Sequence, residues 1–174
     1  LARARGNRPA TLERIVVAVD PPASAGGDAC GIVVVGRRDN RAYVLADRSK
    51  SGESPQGWAT IVAQTAREFG AREIVAEKNQ GGEMVRTVLA HGGCETAIRL
   101  VHASRGKAAR AEPVAALYEQ GRVIHCGAFP ALEEELMALG SAEGGRSPDR
   151  ADALVWAVTH LLPAPRAGPR VRVL

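Results

Sequence analysis

The feature that most limits what this chain can become is the run Arg14 to Asp20, RIVVAVD, in which five successive apolar residues end on an acid followed by Pro21 and Pro22. A half-exposed strand alternates apolar and polar residues. A strand buried on both faces can be apolar throughout, so this run predicts the central strand of a sheet. Residues 21–29 are dense in Pro, Gly and Ser and predict a loop. After it, GIVVVGR and RAYVLAD predict two more strands around the turn Arg38-Asp39-Asn40, which makes the opening three antiparallel strands.

Helical spacing follows. Ile61, Val62, Thr65, Ala66 and Phe69 mark a helix over Pro55 to Phe69, with Gly70 placed to end it. EIVAEK predicts a fourth strand, Gly82 to His91 a helix, Ala97 to His102 a short strand, and Lys107 to Gln120 a helix stopped by Gly121. Glu133 to Leu139 predicts a short helix and Gly140 to Pro148 a Gly/Ser-rich loop. The last helix, DRADALVWAVTHLL, runs from Asp149 to Leu162. The order βββαβαβα, with its first three strands antiparallel, predicts an α/β fold: a mixed sheet flanked by helices on both faces.

A length of 174 residues suits one compact domain. Residues 14–162 are expected to form it, with 163–174 as a C-terminal tail. The Arg-rich, unpatterned stretch 1–13 is expected to be a linker cut from a longer polypeptide, whose upstream domain is missing. No run of 18 apolar residues occurs and the N-terminus lacks a signal peptide's apolar stretch, so the expectation is a soluble, cytoplasmic protein that meets no membrane. Cys30, Cys94 and Cys126 are widely spaced, without a CxxC pair or zinc-finger spacing to a His, and are expected to be reduced thiols. A net charge of +4 and a pI near 9.3 suit a polyanionic partner. With 3% aromatic residues there are few rings on which to stack bases, which favours contact with a duplex backbone.

Four carboxylates fall at the ends of these elements: Asp20 closing the first strand, Glu77 closing the fourth, and Asp149 with Asp152 opening the last helix. Ligands of open α/β sheets bind beyond the carboxyl ends of the strands, so Asp20 and Glu77 are expected side by side in one crevice. Gathering carboxylates is electrostatically costly. A divalent cation removes the cost, and oxygen ligands suit Mg²⁺ or Mn²⁺. Two such ions about 3.5–4 Å apart can activate a water and stabilise the leaving oxygen of a phosphodiester. Asp20 is expected to be the ligand shared by both ions, because a central strand end is the most rigid support in such a fold. A carboxylate closing a buried strand ahead of Pro-Pro has no evident structural duty. On spacing alone, however, Asp149 or Ser147 serves equally well as a helix N-cap. Asp149 and Asp152, three apart, share one helix face.

Weaker candidates surround these. Asp28, after Gly26-Gly27, could approach the same crevice or be a turn residue. Arg105, Lys107 and Arg110 form a basic cluster at a helix start, suited to DNA phosphates or to being a solvated face. His91, His102, His125 and His160 have no metal-binding spacing, and only His125 and His160 could gain relevance if folding brings them near the acids. No GxxxxGK[ST] occurs, so the residues present make no P-loop ATPase.

Taken in order, VAVDPP, GGDACGIVVVG, VAEKNQGG, GKAARAEPVAALYEQGRV and SPDRADALVWA resemble the nuclease domain of large terminase subunits from tailed phages and gene transfer agents, over Arg14 to Leu162. The resemblance implies a ribonuclease-H-like fold of the resolvase/integrase type. It implies metal ligation by Asp20, Glu77 and Asp149, with Asp152 matching a further acid of the resolvase branch. It also implies cleavage of double-stranded DNA during packaging, an ATPase motor upstream, and a portal protein and small terminase subunit as partners in a bacterial host cell. Many members carry His-Asp-Asp where this chain has Ser147-Pro148-Asp149, so two polar positions of the pattern are absent.

Two other functions fit the same residues. A Holliday-junction resolvase could use Asp149-Arg-Ala-Asp152, although the segment Glu77 to Gly82 and the helix ending YEQGRV look like terminase. A DNA-binding or docking module without catalysis could keep the fold, but it would have no need of all four acids.

Overall fold

The structure, a computed structural model, describes residues 4–22, 29–78, 82–104, 106–139 and 147–163. Among these the chain forms β1 (Arg14–Asp20), β2 (Ala29–Arg38), β3 (Arg41–Asp47), β4 (Lys50–Ser51), α1 (Pro55–Phe69), β5 (Glu73–Glu77), α2 (Gly82–His91), β6 (Ala97–Val101), α3 (Lys107–Glu119), β7 (Val123–His125), α4 (Pro130–Ala138) and α5 (Asp149–Leu161). They build one mixed sheet in the order β6-β5-β1-β2-β3-β7, with β4 paired to β2. β1, β2 and β3 are antiparallel neighbours, while β5 runs parallel to β1, β6 to β5 and β7 to β3.

Local chemistry accounts for the elements that were legible. Asp39 and Asn40 both take positive φ, 48° and 60°, the left-handed pair that a tight hairpin between β2 and β3 demands and that Asp and Asn tolerate. Ser54 accepts a 3.0 Å hydrogen bond from the Gly57 amide at the start of α1, Pro55 follows at the first helical position, and Gly70 (φ 61°) closes the helix. Two strands were not anticipated. β4 has two residues and β7 three, too few for any periodicity; β7 exists because β3 offers it an edge, in the register Ala42↔Val123 and Val44↔His125. α4 starts at Pro130, earlier than expected, with the proline in the first turn where its missing N–H costs nothing.

The strict alternation of β1 feeds two cores. Val16 and Ala18 face a layer containing Val114 of α3, Leu132 of α4 and Leu154 and Val158 of α5. Val17 and Val19 face the other way, onto Trp58 and Val62 of α1 and Leu89 of α2. An apolar run of five is needed because both faces are dry. The stretch ahead of β1, expected to be linker, lies against the domain: the Gly6 amide donates to the His125 carbonyl at 3.0 Å, and Arg5 reaches Glu133 at 2.8 Å. No helix among the described residues is long and apolar enough to cross a membrane.

Candidate metal centre

Register and alternation together decide where the strand-end acids go. β1 and β5 are parallel neighbours with Val19 opposite Ala76, so Asp20 and Glu77, the next residues, end their strands side by side. Both continue the rows of Ala18 and Val75, which face the α5 side of the sheet. α5 crosses that face with its N-terminus over β2. There Gly31, the register partner of Asp20, has no side chain, and a Cβ added to it would stand 2.0 Å from the Asp149 carbonyl oxygen. The glycine thus lets the α5 backbone touch the sheet and brings Asp149 and Asp152 beside Asp20.

Neither Asp149 nor Ser147 is the N-cap of α5, which corrects the capping alternative. Pro148 holds that position and offers no side-chain acceptor. Glu135, from α4, takes over: its Oε2 accepts from the amides of Arg150 at 2.8 Å and Ala151 at 3.1 Å, while its Oε1 pairs with the Arg150 guanidinium. Ser147 Oγ instead accepts from Lys107 Nζ at 3.2 Å.

All four acids are desolvated, at 7% exposure for Asp20, 9% for Glu77, 6% for Asp149 and 2% for Asp152. Burial, and then the charges of Glu77, Asp152 and Asp149, push the Asp20 carboxyl from its ordinary 3.8 up to about 8, against the opposing pull of Lys107. Two cations reach in from α3. Lys107 Nζ lies 2.6 Å from Asp152 Oδ2. Burial works to lower the Lys107 ammonium, but the hydrogen bond and charge of Asp152, with Asp20 and Asp149, hold it above its usual value. Arg110 extends Nη1 to Glu77 Oε1 and Nη2 to Asp152 Oδ1, each at 3.4 Å.

The structure therefore gathers Asp20, Glu77, Asp149 and Asp152 at one end of the sheet and adds Lys107, half exposed, and Arg110, partly buried and turned inward rather than outward to solvent. Asp28 and Arg105 lie outside the described residues. His160 pairs with Glu73 at 2.7 Å, and His125 bonds Tyr118 at 2.7 Å and Glu133 at 3.2 Å, so neither histidine joins the acids. Sequence reasoning missed Gly31, Glu135 and Trp156. Trp156 had a signal: it stands four residues after Asp152 in a helix, hence on the same face.

Among the described residues no three His, Cys, Asp or Glu side chains stand in an arrangement that could hold an ion as they are. Glu77 and Asp152 are drawn to Trp156, Arg110 and Lys107 instead. The donor set fits a hard divalent cation all the same. It is all oxygen and buried, and Asp20 is raised to about 8 first by burial and then by the charges of Glu77, Asp152 and Asp149, which Lys107 only partly offsets.

A mixed sheet with three leading antiparallel strands, helices on both faces and acids at the ends of β1, β5 and the start of α5 defines the ribonuclease-H-like class. The family model described as the terminase RNaseH-like domain matches residues 17–161, and the chain belongs to that family. No curated protein matches it. Among solved structures it is similar to the large terminase of a thermophilic bacteriophage, with 11% identity, a TM-score of 0.67, and coverage of 90% of this chain but 42% of that one. It is similar to the large terminase nuclease of thermophilic phage G20c with bound cobalt, at 17% identity and a TM-score of 0.64, covering 89% and 84%. The human cytomegalovirus terminase nuclease domain, manganese-soaked, matches at 14% identity and a TM-score of 0.60, covering 87% and 83%. The chain thus spans less than half the length of the first of these proteins and most of the length of the two nuclease domains.

Proposed function

We propose that this chain is the nuclease domain, residues 14–162, of a large terminase subunit, and that it cuts double-stranded DNA during packaging by divalent-metal-dependent phosphodiester hydrolysis. The observation that carries the reading is the buried acid cluster at the ends of β1 and β5, in which burial and then the charges of Glu77, Asp152 and Asp149 push Asp20 up to about 8. Family membership supports the same chemistry, as do neighbours of this fold recorded with cobalt, magnesium or manganese. When bound, a pair of Mg²⁺ or Mn²⁺ ions supplies the positive charge that activates the attacking water and stabilises the leaving oxygen.

The roles of the chain's own residues follow from their supports. Asp20, on the central strand, is the ligand shared between the two ions. Glu77, Asp149 and Asp152 complete the set, with Asp28 a further candidate. Lys107, at the helix start and half exposed, can leave Asp152 for a DNA phosphate, and Arg105 lies two residues before it in the sequence. The longer large terminase from a thermophilic bacteriophage is recorded in complex with ADP, which supports an ATPase motor elsewhere in the full-length protein. A portal protein and a small terminase subunit are the further partners proposed, within a bacterial host cytoplasm.

Plasmid cleavage in Mn²⁺, with and without chelator, tests the reading. Loss of a residue that merely supports a metal ligand costs about 10–100-fold, so Asp20→Asn should reduce cleavage by roughly 100-fold or more. Circular dichroism of the same preparation should be unchanged. A folded Asp20→Asn variant that cuts like the parent, or a parent that cuts equally well in chelator, would defeat it.

A further inference from the structure

Glu77 ends its strand beside three other acids, and a flexible glutamate so placed should swing away from them toward water. It does not, because neither carboxylate oxygen is loose. Trp156 Nε1 donates to Oε2 at 2.7 Å, and Arg110 Nη1 reaches Oε1 at 3.4 Å. The other arm of the same guanidinium stands 3.4 Å from Asp152 Oδ1. The Trp156 ring in turn holds the guanidinium, whose central carbon lies 4.7 Å from the ring centroid. Arg110 thus touches two acids on different elements and is kept in place by the indole that binds one of them.

We propose that Arg110 and Trp156 form a positioning clamp that presets Glu77 and Asp152 to receive a divalent cation. The inference rests on the metal-dependent reading of this site. A carboxylate oxygen has two lone pairs, and the clamp engages one partner on each Glu77 oxygen, leaving capacity for a metal on the other side. Only arginine suits the first role: a planar fork can span two carboxylates and lie against an aromatic face, whereas an ammonium is a point charge. Only tryptophan among the apolar rings has an N–H to donate. Arg110 Nε is buried with no hydrogen-bond partner, a desolvation cost the fold accepts in exchange for the guanidinium's direction. The guanidinium between them offsets the repulsion that would otherwise drive Glu77 and Asp152 apart, so the cation meets carboxylates already oriented.

The chain has two tryptophans, and the second, Trp58, sits in the opposite core under α1. Indole emission during Mg²⁺ titration therefore separates the sites. The parent and Trp58→Phe should both respond to Mg²⁺, because the indole that bonds Glu77 remains. Trp156→Phe should lose the response. By calorimetry with Mn²⁺, Trp156→Phe and Arg110→Lys should each bind about tenfold more weakly than the parent, as expected for groups that orient a ligand. Their circular dichroism spectra and melting temperatures in chelator should stay close to those of the parent. If both folded variants bind Mn²⁺ with the parent's affinity, or if the Mg²⁺ response follows Trp58, the clamp is overturned while the metal site stands. If the parent takes up neither ion, the metal reading falls and the clamp falls with it.

Discussion

Asp20 in the folded chain keeps its proton up to about pH 8, whereas in the unfolded chain the same carboxyl loses it near its ordinary 3.8. Between those values the folded state holds a proton the unfolded state has released, so stability is greatest at the acid end and declines as pH rises, until Asp20 itself ionises. Burial lowers the pKa of His125, which acts in the opposite sense, but only below its ordinary 6.5. In the window from about 6.5 to 8 the proton held by Asp20 and the acids around it therefore acts without that opposition. In chelator the melting temperature should fall across that window, and Asp20→Asn, which cannot ionise, should flatten the fall and melt no lower than the parent. A parent-like slope in the variant would show that another group titrates there. The carboxylates themselves were legible as candidates because each sits at an element end. What Asp20 experiences was not, since burial and the neighbouring charges come from β5 and α5, far along the chain.

Among the elements, α5 and β2 have the most demanding contact. A methyl on Gly31 would overlap the Asp149 carbonyl, and the obstacle is backbone at a helix start rather than a pliable side chain. Gly31→Ala must lift α5 off the sheet. The expected cost is about 1–3 kcal/mol or more in urea denaturation, as for other overpacked sites, with cleavage lost in proportion to the displacement of Asp149 and Asp152. Gly106→Ala, where a Cβ meets nothing within 4 Å, serves as the comparison: as the N-cap of α3 it should cost no more than about 1 kcal/mol and leave the α5 contact intact. Equal effects would remove the close-contact explanation. In the sequence Gly31 reads as one more strand residue, because a glycine's reason lies in whatever approaches it. The helices announced themselves by spacing and caps; β4 and β7 are too short to do so and depend on a neighbour's edge.

For the molecule as a whole, the excess of basic residues sets how it meets a polyanion. The net charge is +4, yet many arginines are already paired, among them Arg14 with Glu73, Arg37 with Glu13 and Arg48 with Glu68. Binding to random duplexes should therefore rest on few phosphate contacts and little sequence preference. For three neutralised phosphates, affinity falls roughly 40-fold between about 50 and 200 mM salt. Filter or fluorescence binding over that range checks this. A flat response, or strong selection of one short sequence, would show that DNA is held by other means.

The sequence by itself determined the sheet's centre, its leading hairpins, most helices and the four acids, because apolar period, turn chemistry and caps act within a few residues. It also carried the family resemblance, since those motifs are short and ordered. The tertiary structure alone decided that Arg110 faces inward, that Glu135 rather than Asp149 or Ser147 caps α5, and that Trp156 bonds Glu77. These partners lie 33 residues apart for Arg110 and Glu77 and 79 apart for Trp156 and Glu77. Charge pairing and hydrogen bonding are set by distance in space, and no local pattern encodes which cation will meet which acid once the sheet and α5 have packed.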